Sequence, residues 1–149
     1  RLKWPNDILV KGKKICGLLA QMGTEGELVE YLNIGIGLNV NNSMDAVETP
    51  AVSMKQLLGK TVPRREVLLG FLDRYERRVE LFDPAEIITL WRKHNTTLGR
   101  QVSVKTIKQT CEGRAVDIDE LGGLVLETSD GSHQTVVHGD CFYAHGLSE

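Results

Sequence analysis

Five consecutive residues near the start of the chain, Lys3-Trp4-Pro5-Asn6-Asp7, bring together a cation, an indole, an amide and a carboxylate. Such a set can work on charged oxygens. Lys3 offers a compact point charge. Asn6 and Asp7 can hold a turn through nearby backbone or reach toward phosphate or a magnesium ion, which takes few carboxylates and keeps waters. Taken alone, the same residues read as an edge strand, a proline turn and a solvated lysine. A second set, Gly35-x-Gly37-x-Asn39, puts two glycines inside a strand-like run. Glycines there weaken a strand and mark either a close backbone approach, such as a ligand on the sheet, or a bulge. The pair is not a dinucleotide fingerprint, because the third glycine and the following helix are missing. A third set, His138-x-x-Cys141-x-x-x-His145, with Asp140 nearby, has three residue types that ligate zinc. No cysteine pair completes a structural site, so it reads as a barrel turn and no metal is assigned.

These residues must be positioned by elements that the pattern of the chain indicates. Pro5 fixes its own φ and pushes Trp4 toward an extended conformation, and Ile8-Leu9-Val10 re-enters a core as a strand. Lys3 then stands where a strand ends and a turn begins, a common place for a rigidly held side chain. Residues 11–13 are a polar turn, 14–22 a second strand, 23–26 a glycine-containing loop and 27–40 a third strand. Strand, turn, strand, turn, strand predicts an antiparallel meander covered by helices on one face. Residues 41–52 have no period and read as a loop that orders over a ligand. Ser53 and Gln56 have the spacing of a capping box, opening a short helix that ends near Gly59.

Pro63 starts a helix through residue 82, with Val67, Leu68, Phe71, Leu72, Tyr75, Val79 and Phe82 along one apolar face. Arg74, Arg77 and Arg78 lie off that stripe and read as solvated. Asp83-Pro84 opens a last helix over 85–94. From residue 98 the character changes to five short β-type runs, 101–107, 111–119, 123–128, 132–137 and 141–143, separated by Gly122-Gly123, Asp130-Gly131 and Gly139-Asp140. Such spacing predicts a small barrel. The expected fold class is α+β, with a sheet-and-helix domain over 1–97 and a β-barrel domain over 98–149.

Composition limits the function classes. The 149 residues can bury a core, and 26% charged with 41% hydrophobic residues is ordinary for a globular protein. A net charge of −2 gives no basic excess with which to track phosphates, so nucleic-acid binding is not expected. No apolar run approaches the roughly 20 residues that span a bilayer, so no membrane partner is expected. Cys16, Cys111 and Cys141 form no Cys-x-x-Cys pair, which argues against a disulfide framework and points to a reducing cytoplasm.

Lys3-Trp4-Pro5-Asn6-Asp7, then Lys14-Ile15-Cys16-Gly17-Leu18-Leu19, then Gly35-Ile36-Gly37-Leu38-Asn39-Val40, in that order and spacing, resemble biotin protein ligases. The resemblance implies a two-step reaction. Biotin's carboxylate attacks the α-phosphate of ATP to give biotinyl-5'-adenylate and pyrophosphate. A lysine of a biotin carboxyl carrier protein then attacks the mixed anhydride. It further implies Lys3 as the catalytic cation at the biotin carboxylate and phosphate. Gly17, Leu18 and Leu19 would form a biotin-binding segment, the glycine for close approach and the leucines as an apolar wall. Asn6, Gly35, Gly37 and Asn39 would bind the nucleotide, Asn39 by an amide that donates and accepts at a purine edge. Asp7 would serve magnesium or hold the turn, and the C-terminal barrel would be SH3-like.

The chain departs from the family in one respect. The Gly-Arg-Gly-Arg loop that grips biotin and ATP lies before the Lys-Trp-Pro-Asn-Asp segment in the family and is absent here. Arg1 begins the chain inside a strand-like run, so it reads as an excised portion, expected to be inactive by itself and to pair its bared sheet in a homodimer. Two rival readings stand beside the ligase: a non-catalytic module that binds carrier or partner, and a lipoate or octanoate ligase of the same architecture.

Overall fold

The computed structural model describes residues 1–26, 28–44 and 50–144. In chain order these residues form β1 (Leu2–Lys3), β2 (Asp7–Val10), β3 (Lys13–Glu25), β4 (Leu28–Leu38), α1 (Met54–Leu58), α2 (Arg64–Glu80), α3 (Pro84–His94), β5 (Gln101–Lys105), β6 (Thr110–Ile118), β7 (Leu124–Glu127), β8 (His133–Val136) and β9 (Asp140–Tyr143). The fold is α+β, as expected. Two compact units divide the chain: Asn6–Phe82, and Arg1–Pro5 together with the chain from Asp83 onward.

In the first unit β2, β3 and β4 form the antiparallel meander. Lys11 and Gly12 join β2 to β3 at φ 49° and 71°. Positive φ at both loop residues is the turn whose twist matches a two-residue hairpin. Pro50–Val52 runs alongside the start of β3, with the Lys14 N–H donating to Pro50 O and the Val52 N–H to Lys14 O, each at 2.9 Å. Of the expected 41–52 loop, residues 45–49 lie outside the described residues, as do Glu27 at the start of the expected third strand and His145 of the histidine–cysteine set. Ser53 caps α1 with the reciprocal Gln56 bond of a capping box, and Gly59 ends it at φ 68°.

Helix α2 differs from expectation in what its apolar stripe meets. Val67, Leu68 and Phe71 line a pocket with the sheet. Further along, Tyr75, Val79 and Phe82 are 46%, 53% and 67% exposed. Amphipathic spacing fixes which face is apolar, but burial needs a neighbour. Off that stripe Arg77 pairs with Asp73 one turn away and Arg74 returns to the Gly70 carbonyl, the solvated role expected of them.

In the second unit five strands make one antiparallel sheet in the order β8-β7-β6-β5-β9. Val102, Val104, Cys111, Ala115, Ile118, Leu124, Leu126, Val136 and Cys141 share one buried cluster. Since Val136 and Cys141 come from the two edge strands, the sheet curls round this core. A register shift between Ala115 and Asp117 assists the bend. No β8–β9 pair closes it among the described residues, so the expected barrel is a partly open one. Asp83 caps α3 by accepting from the Ala85 and Glu86 N–H groups. Ile88 and Trp91 of α3 pack on the core, and Arg92 forks onto Asp117 at 2.8 and 3.2 Å.

Trp4 completes that core. It is 2% exposed, and its indole N–H donates to Gly122 O at 3.0 Å. Cys141 is buried in the same cluster, and burial pushes its thiol up to about 11 against the pull of the Lys3 charge. A thiol so raised is a packing group, not a ready thiolate ligand.

Candidate functional site

In the unit Asn6–Phe82 the register of the meander sorts the motif residues. Side chains alternate across a strand and directly opposed residues share a face. Gly17 stands opposite both Asp7 and Gly37, and Leu19 opposite Gly35. One face of the sheet therefore collects Asp7, Gly17, Leu19, Gly35 and Gly37. Cys16 pairs with Ile8 and Leu38, and Leu18 with Ile36, on the other face. There they line an apolar pocket of about 460 Å³ with Val67 and Phe71 of α2. The segment Gly17-Leu18-Leu19 is thus split between two faces. Leu18 is the only one of the predicted site residues that lines that pocket, whereas Asp7, Gly17, Leu19, Gly35 and Gly37 share the opposite face.

The glycines on that face have different causes. A Cβ on Gly17 would come within 3.0 Å of Lys14 Cε and Nζ and 3.3 Å of Asp7 Oδ1. Gly17 therefore lies beneath the Lys14–Asp7 ion pair, which would have to give by a few tenths of an ångström to admit a Cβ. A Cβ on Gly35 or Gly37 would meet only a carbonyl oxygen at 3.6 or 3.7 Å and, for Gly35, the Leu19 Cβ at 4.0 Å. These are ordinary contacts, so neither packing nor backbone conformation requires glycine at 35 or 37. The result is a stretch of bare backbone walled by Leu19, which is 61% exposed.

Lys14 Nζ approaches Asp7 Oδ1 at 2.6 Å. This buried oxygen has the ion pair but no directed hydrogen bond. The arrangement bears on magnesium. Asp7 supplies one carboxylate whose inner oxygen already faces an ammonium, and the described residues contain no cluster of three metal-binding side chains. It does not fit a resident metal site. Lys14 also pulls the Cys16 thiol down, but burial outweighs it and the thiol is raised.

Asn6 is held as a turn residue. Its Nδ2 donates to Leu18 O at 2.5 Å, while the Leu18 N–H donates to Asn6 O at 3.0 Å. Asn39 follows β4. Its N–H donates to Ile15 O and its carbonyl accepts from the Met54 N–H, both at 2.9 Å, with Nδ2 3.4 Å from Lys14 O.

Lys3 belongs to the other unit, and its surroundings were not legible from spacing. The carbonyl of Leu2 accepts from the Thr96 N–H at 2.8 Å and from Thr96 Oγ1 at 3.1 Å. The Trp4 N–H donates to the buried Thr97 Oγ1 at 3.0 Å. The backbone on both sides of Lys3 is therefore fixed. Its ammonium lies 5.0 Å from the centroid of the Tyr143 ring, and the Arg100 guanidinium lies 4.9 Å from the same centroid. Thr96, Thr97, Arg100 and Tyr143 carried no local signal, being about a hundred residues or more from Lys3.

Residues 1–39 match the family profile described as Biotin/lipoate A/B protein ligase family, and residues 97–143 match Biotin protein ligase C terminal domain. The chain is 35% identical over 139 residues to the bifunctional ligase/repressor BirA of Bacillus subtilis, covering 87% of this chain and 42% of that protein. It is 29% identical over 150 residues to the biotin–[acetyl-CoA-carboxylase] ligase of Paracoccus denitrificans, covering 95% of this chain and 62% of that one. An apo structure of biotin protein ligase from Aquifex aeolicus superposes with a TM-score of 0.80 at 27% identity, over 97% of this chain and 65% of that chain. The same enzyme in complex with biotin and ATP gives 0.76 at 25% identity, over 97% and 62%. The chain thus spans about two-fifths to three-fifths of the length of these curated relatives.

Proposed function

We propose that this chain, which belongs to the biotin protein ligase family, supplies part of the site that makes biotinyl-5'-adenylate and passes biotin to a carrier protein. In the first step a biotin carboxylate oxygen bonds to the α-phosphorus of ATP and pyrophosphate leaves with the electron pair. In the second, the amine of a carrier lysine bonds to the acyl carbon, loses its proton, and AMP leaves. Both steps build negative charge on oxygens at one centre. A preorganised ammonium lowers that charge's energy without reorganising at the moment of reaction. Lys3 takes this role, with its backbone held on both sides by Thr96 and Thr97.

The observation that carries the reading is the bare backbone at Gly35 and Gly37. Nothing in the chain itself needs glycine there, whereas a flat ligand laid on the sheet does. Leu19 gives that ligand an apolar wall, and Gly17 with Lys14 and Asp7 bounds it. Asn39 is assigned to the purine, and Asn6 keeps its nucleotide assignment from a turn held by its bonds to Leu18. Magnesium enters only as the ion that accompanies the ATP phosphates, and no step is routed through Asp7. The SH3-like domain begins at about residue 98, and the carrier is a biotin carboxyl carrier protein.

Gly35→Val and Gly37→Val in the full-length ligase test the reading. Valine favours strands, so thermal stability should hold or rise. The KM for biotin or ATP in pyrophosphate release should rise by about tenfold or more, since misplacement by an ångström is felt that strongly. Unaltered kinetics in both variants would remove the glycine face from the site.

A further inference from the structure

Tyr143 lies in β9, at the far end of the chain from Lys3, and no motif singled it out. Its ring nevertheless meets two cations, Lys3 and Arg100. Its hydroxyl lies 3.2 Å from Thr96 Oγ1 and 3.2 Å from Thr97 Oγ1. These are the two threonines that hold the backbone before and after Lys3. Arg100 is tied to the same segment, its Nε donating to Thr96 O at 2.9 Å. One short stretch, Thr96-Thr97, therefore fixes the main chain of Lys3, the rim of the ring under its ammonium, and the second cation on that ring. Neither Lys3 nor Arg100 makes an ion pair among the described residues. The lowering influence of Lys3 on the Cys141 thiol agrees with an ammonium resting toward β9.

A flexible lysine gains nothing as a preorganised cation unless its tip is restrained as well as its backbone. An aromatic face does so without neutralising the charge, which a carboxylate would. We infer that Tyr143 is a positioning residue for Lys3: its ring holds the free ammonium in place, with Arg100 sharing the ring as a second positive charge, until an anionic acyl phosphate draws on it. This rests on the role given to Lys3 above. The ring, not the hydroxyl, is the working part, so Tyr143→Phe should be tolerated and Tyr143→Leu should not.

Two measurements decide it. In the 149-residue chain with isotope-labelled lysine, ring currents should move the Lys3 Hε resonances upfield in wild type and in Tyr143→Phe. In Tyr143→Leu they should return to ordinary values, with the Trp4 indole signal reporting that the unit remains folded. In the full-length ligase, Tyr143→Leu should slow adenylate formation by about 3- to 30-fold, the range of one cation–π contact. Tyr143→Phe should stay within about twofold, and Tyr143→Leu should add nothing in a Lys3→Ala background. Unshifted Lys3 resonances in wild type, or the same slowing by Tyr143→Leu with and without Lys3, would overturn the inference. A slowed Lys3→Ala beside a fully active Tyr143→Leu would overturn it alone. Lys3→Ala at the wild-type rate would overturn it together with the proposed function.

Discussion

Replacing Trp4 should cost the second unit most of its stability, although Trp4 lies at the opposite end of the sequence from that unit's sheet. The indole is 2% exposed within the cluster of Val104, Leu124 and Leu126. Truncating a buried tryptophan to alanine leaves a cavity and typically costs about 3–5 kcal/mol. The lost bond to Gly122 O adds little, because that carbonyl is only partly buried and water can replace the donor. Trp4→Phe keeps most of the packing but drops the bond and part of the ring, for about 1–2 kcal/mol. With a urea slope of about 1.5 kcal/mol per molar, Trp4→Ala should lower the midpoint by about 2–3 M and Trp4→Phe by about 1 M. Far-UV circular dichroism is the suitable probe, since tryptophan fluorescence loses one of its two reporters. A Trp4→Ala midpoint within about 0.5 M of wild type would mean that the segment Arg1–Pro5 is not part of this core.

Lys3→Ala should slow adenylate formation by about 10²–10³, as removal of a preorganised charge does. Lys14→Ala should chiefly lower stability by about 1 kcal/mol through loss of its partly exposed pair with Asp7, and quenched-flow with denaturant titration separates the two. Asp130 is held at about 2, below its ordinary 3.8, by hydrogen bonds from Thr128 Oγ1 and from the Ser132 N–H and Oγ. Its lowered pKa stabilises the β7–β8 turn above pH 4 and that contribution disappears as pH falls through about 2. The Thr128 and Ser132 amide shifts should titrate in that window and flatten in Asp130→Asn. The β4 edge exposes Leu28, Val29, Tyr31 and Leu32 at 52–76%, and an apolar edge invites pairing. Light scattering should show the isolated chain's mass rising with concentration, and a constant monomer at high micromolar concentration would contradict this.

Local signals carried much of the fold. The Ser53–Gln56 box, Asp83-Pro84, and the turn residues between the β-runs all mark structure through neighbours a few positions away, and the corresponding elements form where they predict. Register was not legible. Whether Leu18 shares a face with Gly17 follows from strand alternation, but which residues of β4 share Gly17's face needed the pairing of Gly17 with Gly37 and of Leu19 with Gly35. Side-chain contacts, also invisible in the sequence, put Gly17 under an ion pair and leave Gly35 and Gly37 clear of one. Contacts across the whole chain, such as Trp4 with Gly122 or Lys3 with Tyr143, leave no periodic trace in a single sequence.

The knitting of Arg1–Pro5 into the unit that begins at Asp83 also sets an order of events during synthesis. Trp4 leaves the ribosome before its indole partner Gly122, which lies 118 residues later. At about 5–20 residues per second, roughly 6–24 s pass before the two can meet. The nascent chain therefore carries an unburied indole throughout the synthesis of Asn6–Phe82. Closing that contact is high in contact order and late by necessity, so the lysine of the motif acquires its fixed setting only when β9 has been made.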